Sequence, residues 1–594
     1  MRFLRYVPWA FVVIGVVFIP PLVGHNMYYA GLTLEAATWG LANLGLTIIL
    51  GYTGQISLGQ AAFFGIGAYG AAIVAVHTHS MWLGLFAGIV LTTFFGFFIG
   101  LSTLKMGGHY LAMVTIGFQT LISLLLNNWV SVTSGPDGIV GIPRPQIFGI
   151  SMMQNVPFLY FVLTILVLVG AGVHVLRRFT WGRALRSIRG NELAAHVMGI
   201  DVFKTKVMAF TVGAGITGLA GGLFASAAMY ISPGLFDFNQ SVSFLAMTVV
   251  GGAGSAVGTV LGTVVLTLLP EVLRFLQHIY LVVYAIIVLA IVLGMPGGIW
   301  SVVEKWWSRL IPTTRPELNA HPVRFGEPTD VGEPLLTLKG VSKFFGGLKA
   351  VDDLDMTVVG QEAHALVGPN GSGKTTVLNV VTGVYPISSG SITLENHNLT
   401  DLPSHRITSY GITRTFQNIR LCNEMTVLDN VMLGLHRHRK SWFLGNMVSS
   451  PASRREQQMF EQKAWQALTY VGLAERGYEL AANLAHGQQR LVELARALVA
   501  EPKVLLLDEP AAGLNDSETA SLVVLLQRLK SQGSTILLVE HDMSLVTKVA
   551  DNLTVLNFGH RISQGPVQQV LSDPAVLEAF LGREEGEEVA EAGS

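Results

Sequence analysis

The sequence predicts two domains of different class: an all-α polytopic membrane domain of about eight to ten transmembrane helices, then an α/β domain built on parallel strands. Three observations predict this. Only 13% of the 594 residues are charged, 51% are hydrophobic, and mean hydropathy is +0.50. A soluble chain carries about 25% charged residues, so part of this one faces lipid. The charge is also unevenly placed: up to Leu176 the only basic residues are Arg2, Arg5, Lys105 and Arg144, and the only acidic ones Glu35 and Asp137. Finally, the C-terminal half holds short, largely apolar runs that are each followed by glycine, carboxylate or histidine. Buried parallel strands have that character, with functional groups at their C-terminal ends.

From Val7 to Trp300 the apolar runs lie near the length of about 20 residues that crosses a bilayer. The expected spans are 7–24, 30–50, 57–76, 81–104, 110–129, 156–176 and 207–228, followed by an apolar region over 241–300. Arg177, Arg178, Arg183, Arg186, Arg189, Lys204 and Lys206 crowd the loop after the sixth span, which places that loop in the cytoplasm. If the C-terminal half is cytoplasmic too, region 241–300 crosses an odd number of times, giving eight or ten spans. Glu35 lies near the outer end of its span, where a carboxylate reaches the interface.

The formal net charge of -1 offers nothing to nucleic acid, and the single cysteine, Cys422, excludes an intrachain disulfide and reads as a buried or semi-exposed thiol. The expected division is a membrane domain over 1–304, a Pro-rich linker over 305–334, an α/β domain over 335–582 and an acidic tail over 583–594. The run His436–Lys440 reads as solvated surface.

The nucleotide-binding expectation rests on Gly368, Pro369, Asn370, Gly371, Ser372, Gly373, Lys374 and Thr375, which match G-x-x-x-x-G-K-[ST]. The apolar strand 363–367 precedes them, and a helix opens at Thr376. In such a loop backbone N–H groups curl around the β-phosphate, Lys374 neutralises β/γ charge, and the Thr375 hydroxyl meets Mg²⁺. A second apolar run, 504–507, ends in Asp508 and Glu509. Asp508 is read as a Mg²⁺ ligand, and Glu509 as the carboxylate that polarises the attacking water. A third run, 535–539, ends in Glu540 and His541.

In this order, with Gln417 and Leu484-Ala485-His486-Gly487-Gln488 added, the motifs resemble the ATP-binding subunit of ABC transporters. The resemblance implies a P-loop ABC nucleotide-binding domain using ATP and Mg²⁺. It implies that Gln417 lies near Mg²⁺ and the permease contact, that His541 is the switch histidine at the γ-phosphate, and that Phe345 stacks on adenine. Residues 484–488 would cap ATP held by a second ATPase. The family's usual signature is L-S-G-G-Q, so Ala485 and His486 depart from it.

Thr413-Arg-Thr-Phe-Gln417, Leu484–Gln489 and Pro510-Ala-Ala-Gly-Leu-Asn515 look like the ATPases of the branched-chain (hydrophobic) amino-acid uptake family. Gly51-Tyr-Thr-Gly-Gln-Ile-Ser-Leu-Gly-Gln60 and Val249–Ser255 resemble one of that family's permeases. Their glycines suit either broken helices along a substrate path or close helix packing. Arg186, Arg189, Glu192, Ala195 and Gly199 fall in a cytoplasmic helical segment, 183–199, resembling the coupling helix that docks near Gln417. The resemblance implies ATP-driven import of branched-chain amino acids across the bacterial inner membrane. It further implies a second permease, a second ABC ATPase, an extracytoplasmic substrate-binding protein and surrounding membrane lipid. Urea, short amides or aromatic acids are the alternative substrates, and an ABC exporter is the more distant rival.

Overall fold

The computed structural model describes residues 7–103, 108–147, 150–310, 325 and 330–581. The acidic tail and most of the Pro-rich linker therefore lie outside the described residues; a helix covers the linker's first positions, up to Leu310. The chain divides into two units: residues 1–189, 202–315 and 441–454 form one, and 190–201, 316–440 and 455–594 the other.

The first unit is helical. Helices α1 (Val7–Val23), α2 (Met27–Leu46), α3 (Gln60–Thr78), α4 (Met81–Thr103), α5 (Gly108–Asn128) and α6 (Asn155–Leu176) precede the basic segment. After α7 (Thr180–Gly190) and α8 (Glu192–Val197) come α9 (Val202–Ala228), α10 (Phe238–Gly251), α11 (Ala256–Val272), α12 (Tyr280–Gly294) and α13 (Gly298–Leu310). Among the described residues seven helices are long and apolar enough to cross a membrane, or eight if the bent pair α12 and α13 counts as one span. This makes the chain a multi-pass membrane protein.

At the centre, α9 packs on α2, α3 and α4. The packing depends on small residues: a Cβ on Gly67 would meet the backbone of Gly218, and one on Gly221 the backbone of Phe64. Outward faces carry Phe86, Phe94, Met113 and Leu124, all exposed, as lipid contact requires. The two Gly-rich stretches are breaks. The end of α2 widens into a π-turn, Thr47–Tyr52, the chain is non-helical up to Gly59, and α10 and α11 are separated at 252–255. A Cβ on Gly51 would strike the Ala253 carbonyl, so the two breaks touch.

In the second unit a four-stranded antiparallel sheet is formed by β1 (Pro334–Phe345), β2 (Leu348–Val359), β4 (Ser389–Leu394) and β5 (His397–Asn398), in the order β2-β1-β4-β5. A six-stranded sheet uses β3 (Ala363–Val367), β6 (Ile412–Arg414), β7 (Val504–Asp508), β8 (Thr535–Val539), β9 (Asn552–Asn557) and β10 (His560–Pro566), ordered β6-β7-β8-β3-β9-β10. Its first five strands are parallel and β10 is an antiparallel edge. Every residue of β3, β7 and β8 is buried, which explains their largely apolar sequences; the buried His364 of β3 is satisfied by Thr554 at 2.8 Å.

Two expectations change. Segment 183–199 is not one helix: Asn191 takes an extended conformation (φ −162°, ψ 106°), ends α7 and caps α8 through a bond from Ala194 N. The run His436–Lys440 is not solvated surface either. His436 is buried, and Arg437 donates to the carbonyls of Thr408 and Glu501, both at 3.0 Å, because the run turns inward against the second unit, and only Lys440 is exposed. Cys422 is buried, within the reading its lone occurrence suggested.

Candidate functional site

The parallel sheet gathers the predicted residues at one edge. Strands β7, β8 and β3 are neighbours, with Asp508 opposite Val539 and Val539 opposite Leu366. The loops leaving them, which carry Gly368–Thr375, Glu509 and Glu540–His541, therefore emerge side by side, as ligand sites on parallel sheets do.

The phosphate loop runs from β3 into α14 (Lys374–Val381), which Gly373 caps. Gly371 and Gly373 have φ of +82° and +103°, conformations that favour glycine, and a Cβ at 373 would also meet the Ala350 carbonyl. The Lys374 ammonium folds back over the loop, donating to the carbonyls of Gly368 at 2.8 Å and Pro369 at 2.9 Å. Burial holds its pKa below the usual lysine range, against the upward pull of Glu509 and Asp508. Ser372 Oγ is buried without a partner, Asn370 and Thr375 are exposed, and Thr376 is half-buried on the first turn.

Asp508 is buried. Its Oδ2 accepts from Arg414 at 2.7 Å, whereas its Oδ1 has no partner. Among the described residues no three His, Cys, Asp or Glu side chains gather as a metal cage. A lone acceptor oxygen and an exposed Thr375 hydroxyl are a partial, all-oxygen set, which fits Mg²⁺ completed by phosphate oxygens and water.

Glu509 sits at φ +45°, a rare conformation for a side-chain-bearing residue. The Gln417 amide donates to Glu509 Oε2 at 2.9 Å, and His541 Nδ1 lies 3.8 Å from the same oxygen. Beneath them the buried Glu540 accepts from Ala511 N at 2.9 Å and from His541 N at 3.2 Å. Burial raises its pKa, and those backbone donors pull it down. Gln417, Glu509 and His541, far apart in sequence, thus form one cluster.

Phe345 is exposed at the end of β1. Its ring meets Tyr385 edge-on at 5.3 Å, and Lys343 Nζ lies 5.0 Å above it. Nothing in the sequence distinguishes Tyr385 for this place.

Residues 484–488 open α15 (His486–Leu498). They face the turn 510–515 and α16 (Asp516–Ser531): a Cβ on Gly487 would meet the Glu518 carboxylate, and the His486 ring borders Gly513. Ala485 occupies the N-cap without a side-chain acceptor, while Gln488 Oε1 accepts from Ala485 N at 3.3 Å. Leu484 is buried. Further along α15, the fully buried Glu493 bridges Arg490 and Arg496 at 3.4 and 3.3 Å. Those arginines donate to the carbonyls of Gln417 and Arg420, fixing the loop after β6.

The coupling-segment residues separate. Arg186 and Arg189 belong to the first unit, where Arg186 donates to the Arg177 carbonyl and Arg189 to the Gly51 carbonyl, at 3.2 and 2.8 Å. Glu192, Ala195 and Gly199 belong to the second. There Ala194 and Val197 pack on Phe416, Arg420 reaches Asn191 at 3.3 Å, and Thr408 donates to the Val197 carbonyl at 2.7 Å. Ala195 is buried, Glu192 is exposed, and Gly199 turns the chain at φ +83°.

Comparison with known proteins agrees with this layout. The family model of the permease component of branched-chain amino acid transport systems matches residues 28–293, and that of ABC transporters matches 351–512. The high-affinity branched-chain amino acid transport ATP-binding protein BraF of Pseudomonas aeruginosa is 41% identical over 253 residues, which cover 42% of this chain and 99% of BraF. LivG of Escherichia coli, a protein of the same description, gives the same identity and coverage. A probable LivG of Archaeoglobus fulgidus is 35% identical over 253 residues, covering 43% of this chain and 97% of its own length. This chain therefore belongs to the branched-chain amino acid transport family of ABC transporters, with a permease component and an ATP-binding component joined in one polypeptide.

Proposed function

We propose that the chain drives ATP-dependent import of branched-chain and other hydrophobic amino acids across the bacterial inner membrane. The observation that carries this is the presence, in one polypeptide, of the permease match over 28–293 and a cassette 41% identical to a branched-chain amino acid transport ATPase along 99% of the latter's length. The relatives' names favour these substrates over urea, short amides or aromatic acids, and over export. One copy supplies one permease and one cassette, so a second of each completes the machine, and an extracytoplasmic binding protein delivers the solute.

The site residues divide the work of hydrolysis. ATP lies with its adenine on Phe345 and its phosphates in the loop Gly368–Thr376. Lys374 exchanges its two carbonyl partners for phosphate oxygens. Asp508 Oδ1, the Thr375 hydroxyl and the Gln417 side chain would hold Mg²⁺, which would supply neutralising charge for the phosphates. Glu509 orients the attacking water and takes its proton, and His541 donates to the γ-phosphate. Residues 484–488 serve the ATP of the partner cassette through the backbone N–H groups at the start of α15, since Ala485 brings no hydroxyl. Gln417 and Phe416 pass the state of the site to α8.

Glu509→Gln tests this assignment. It keeps the bond with Gln417 and ATP binding but stops hydrolysis and uptake; robust turnover in the variant contradicts the assigned role.

A further inference from the structure

We propose that Arg414 is the positioning residue for the magnesium carboxylate: it clamps one oxygen of Asp508 to the phosphate-loop helix and so presents the other to the ion. The inference rests on the reading of Asp508 as a Mg²⁺ ligand and goes beyond it by assigning the group that aims this ligand.

Arg414 ends β6 and pairs in register with Leu506 of β7, two positions before Asp508. Its side chain is 2% exposed and that of Asp508 1%. The guanidinium divides its donors between two elements. Nη2 reaches Asp508 Oδ2 at 2.7 Å, while Nη1 reaches Asn379 Oδ1 at 2.7 Å and Thr382 Oγ1 at 3.3 Å. Asn379 lies in α14 and Thr382 caps its end, so the helix that begins with Lys374 and Thr375 is held at its far end by the same cation. The plane of the guanidinium is itself fixed, lying 5.2 Å from the centroid of the Phe416 ring.

The consequence is an asymmetric carboxylate. Oδ2 is occupied, and Oδ1 is buried with no partner. A carboxylate held at one oxygen has its second oxygen fixed in direction, so the ion meets an oriented ligand and no rotamer freedom remains to be lost. The planar fork matters as well as the charge. A lysine ammonium is a point donor without a fixed plane, and cannot hold Asp508 and Asn379 in one orientation. No local pattern marks Arg414 for this role, because its partners lie 35 and 94 positions away in the chain.

The test uses the full chain in lipid nanodiscs and reads nucleotide binding rather than turnover. A fluorescent ATP analogue is titrated in EDTA and then across a Mg²⁺ series, for the wild type, Arg414→Met, Arg414→Lys and Asp508→Asn. Arg414→Met is expected to leave metal-free affinity within about twofold and to raise the Mg²⁺ midpoint by about 10–100-fold, with Arg414→Lys in between. A general loss of structure would weaken binding in EDTA equally. An unchanged Mg²⁺ midpoint in Arg414→Met overturns the proposal. Should that variant fail to fold, Arg414→Lys, which keeps the buried charge, is judged by the same criterion. If Asp508→Asn also leaves the midpoint unmoved, the magnesium reading falls and the Arg414 assignment with it. A shift in Asp508→Asn alone overturns the Arg414 assignment only.

Discussion

Ala485 shows how much one side chain can decide. It stands at the N-cap of α15 with φ −62° and ψ 155°, a geometry in which serine accepts a backbone N–H bond and alanine cannot. Ala485→Ser is therefore expected to stabilise the cassette by about 0.5–2 kcal/mol, read as a higher midpoint in denaturant unfolding. An unchanged midpoint would mean that the Gln488 bond to Ala485 N already meets the needs of this helix end. Phe345 offers a second residue-scale test. It is exposed, braced edge-on by Tyr385, and free to stack on a base. Phe345→Ala is expected to weaken ATP binding by about 1–3 kcal/mol, as stacking contacts do, with little change in kcat. A fall in kcat at constant affinity would place the adenine elsewhere.

Among the elements, the parallel strands were legible in the sequence and the break within the coupling segment was not. Runs such as 504–507 announce buried strands because both faces are covered, and the residues after them announce the site because parallel strands deliver their loops to one edge. The glycines at 371 and 373 were legible for a related reason: their positive φ restricts the choice of residue. The break at Asn191 was hidden, because Leu185 and Ile188 on one side of it and Ala194 and Ala195 on the other fit one continuous helical reading. What ends the helix is a side-chain bond to Ala194 N at 2.9 Å. Arg414, Tyr385 and Arg490 were equally hidden, since each acts on residues that only the fold brings near. The capping bond also makes a prediction. Asn191→Ala should destabilise α8 by about 1 kcal/mol and lower amino acid transported per ATP hydrolysed. Unaltered stoichiometry would remove α8 from the coupling route.

At the scale of the whole molecule, each unit contains a stretch whose chain neighbours belong to the other: 190–201 in the second and 441–454 in the first. In the first, Trp181 Nε1 donates to the Ser441 carbonyl at 3.1 Å and its ring meets Phe443 at 5.5 Å. Orientation in the membrane follows from the seven basic side chains between Arg177 and Lys206, so a reporter fused after Leu176 should behave as cytoplasmic. An extracytoplasmic signal there would reverse the topology. What the ATP-driven machine carries is the central question. The most direct measurement is uptake of radiolabelled leucine, with urea in parallel, by proteoliposomes holding this chain, its partner permease and ATPase, and the binding protein. The expected result is leucine accumulation that needs ATP and Mg²⁺, is lost in Glu509→Gln, and is not matched by urea. ATP-dependent accumulation of urea without leucine would contradict it.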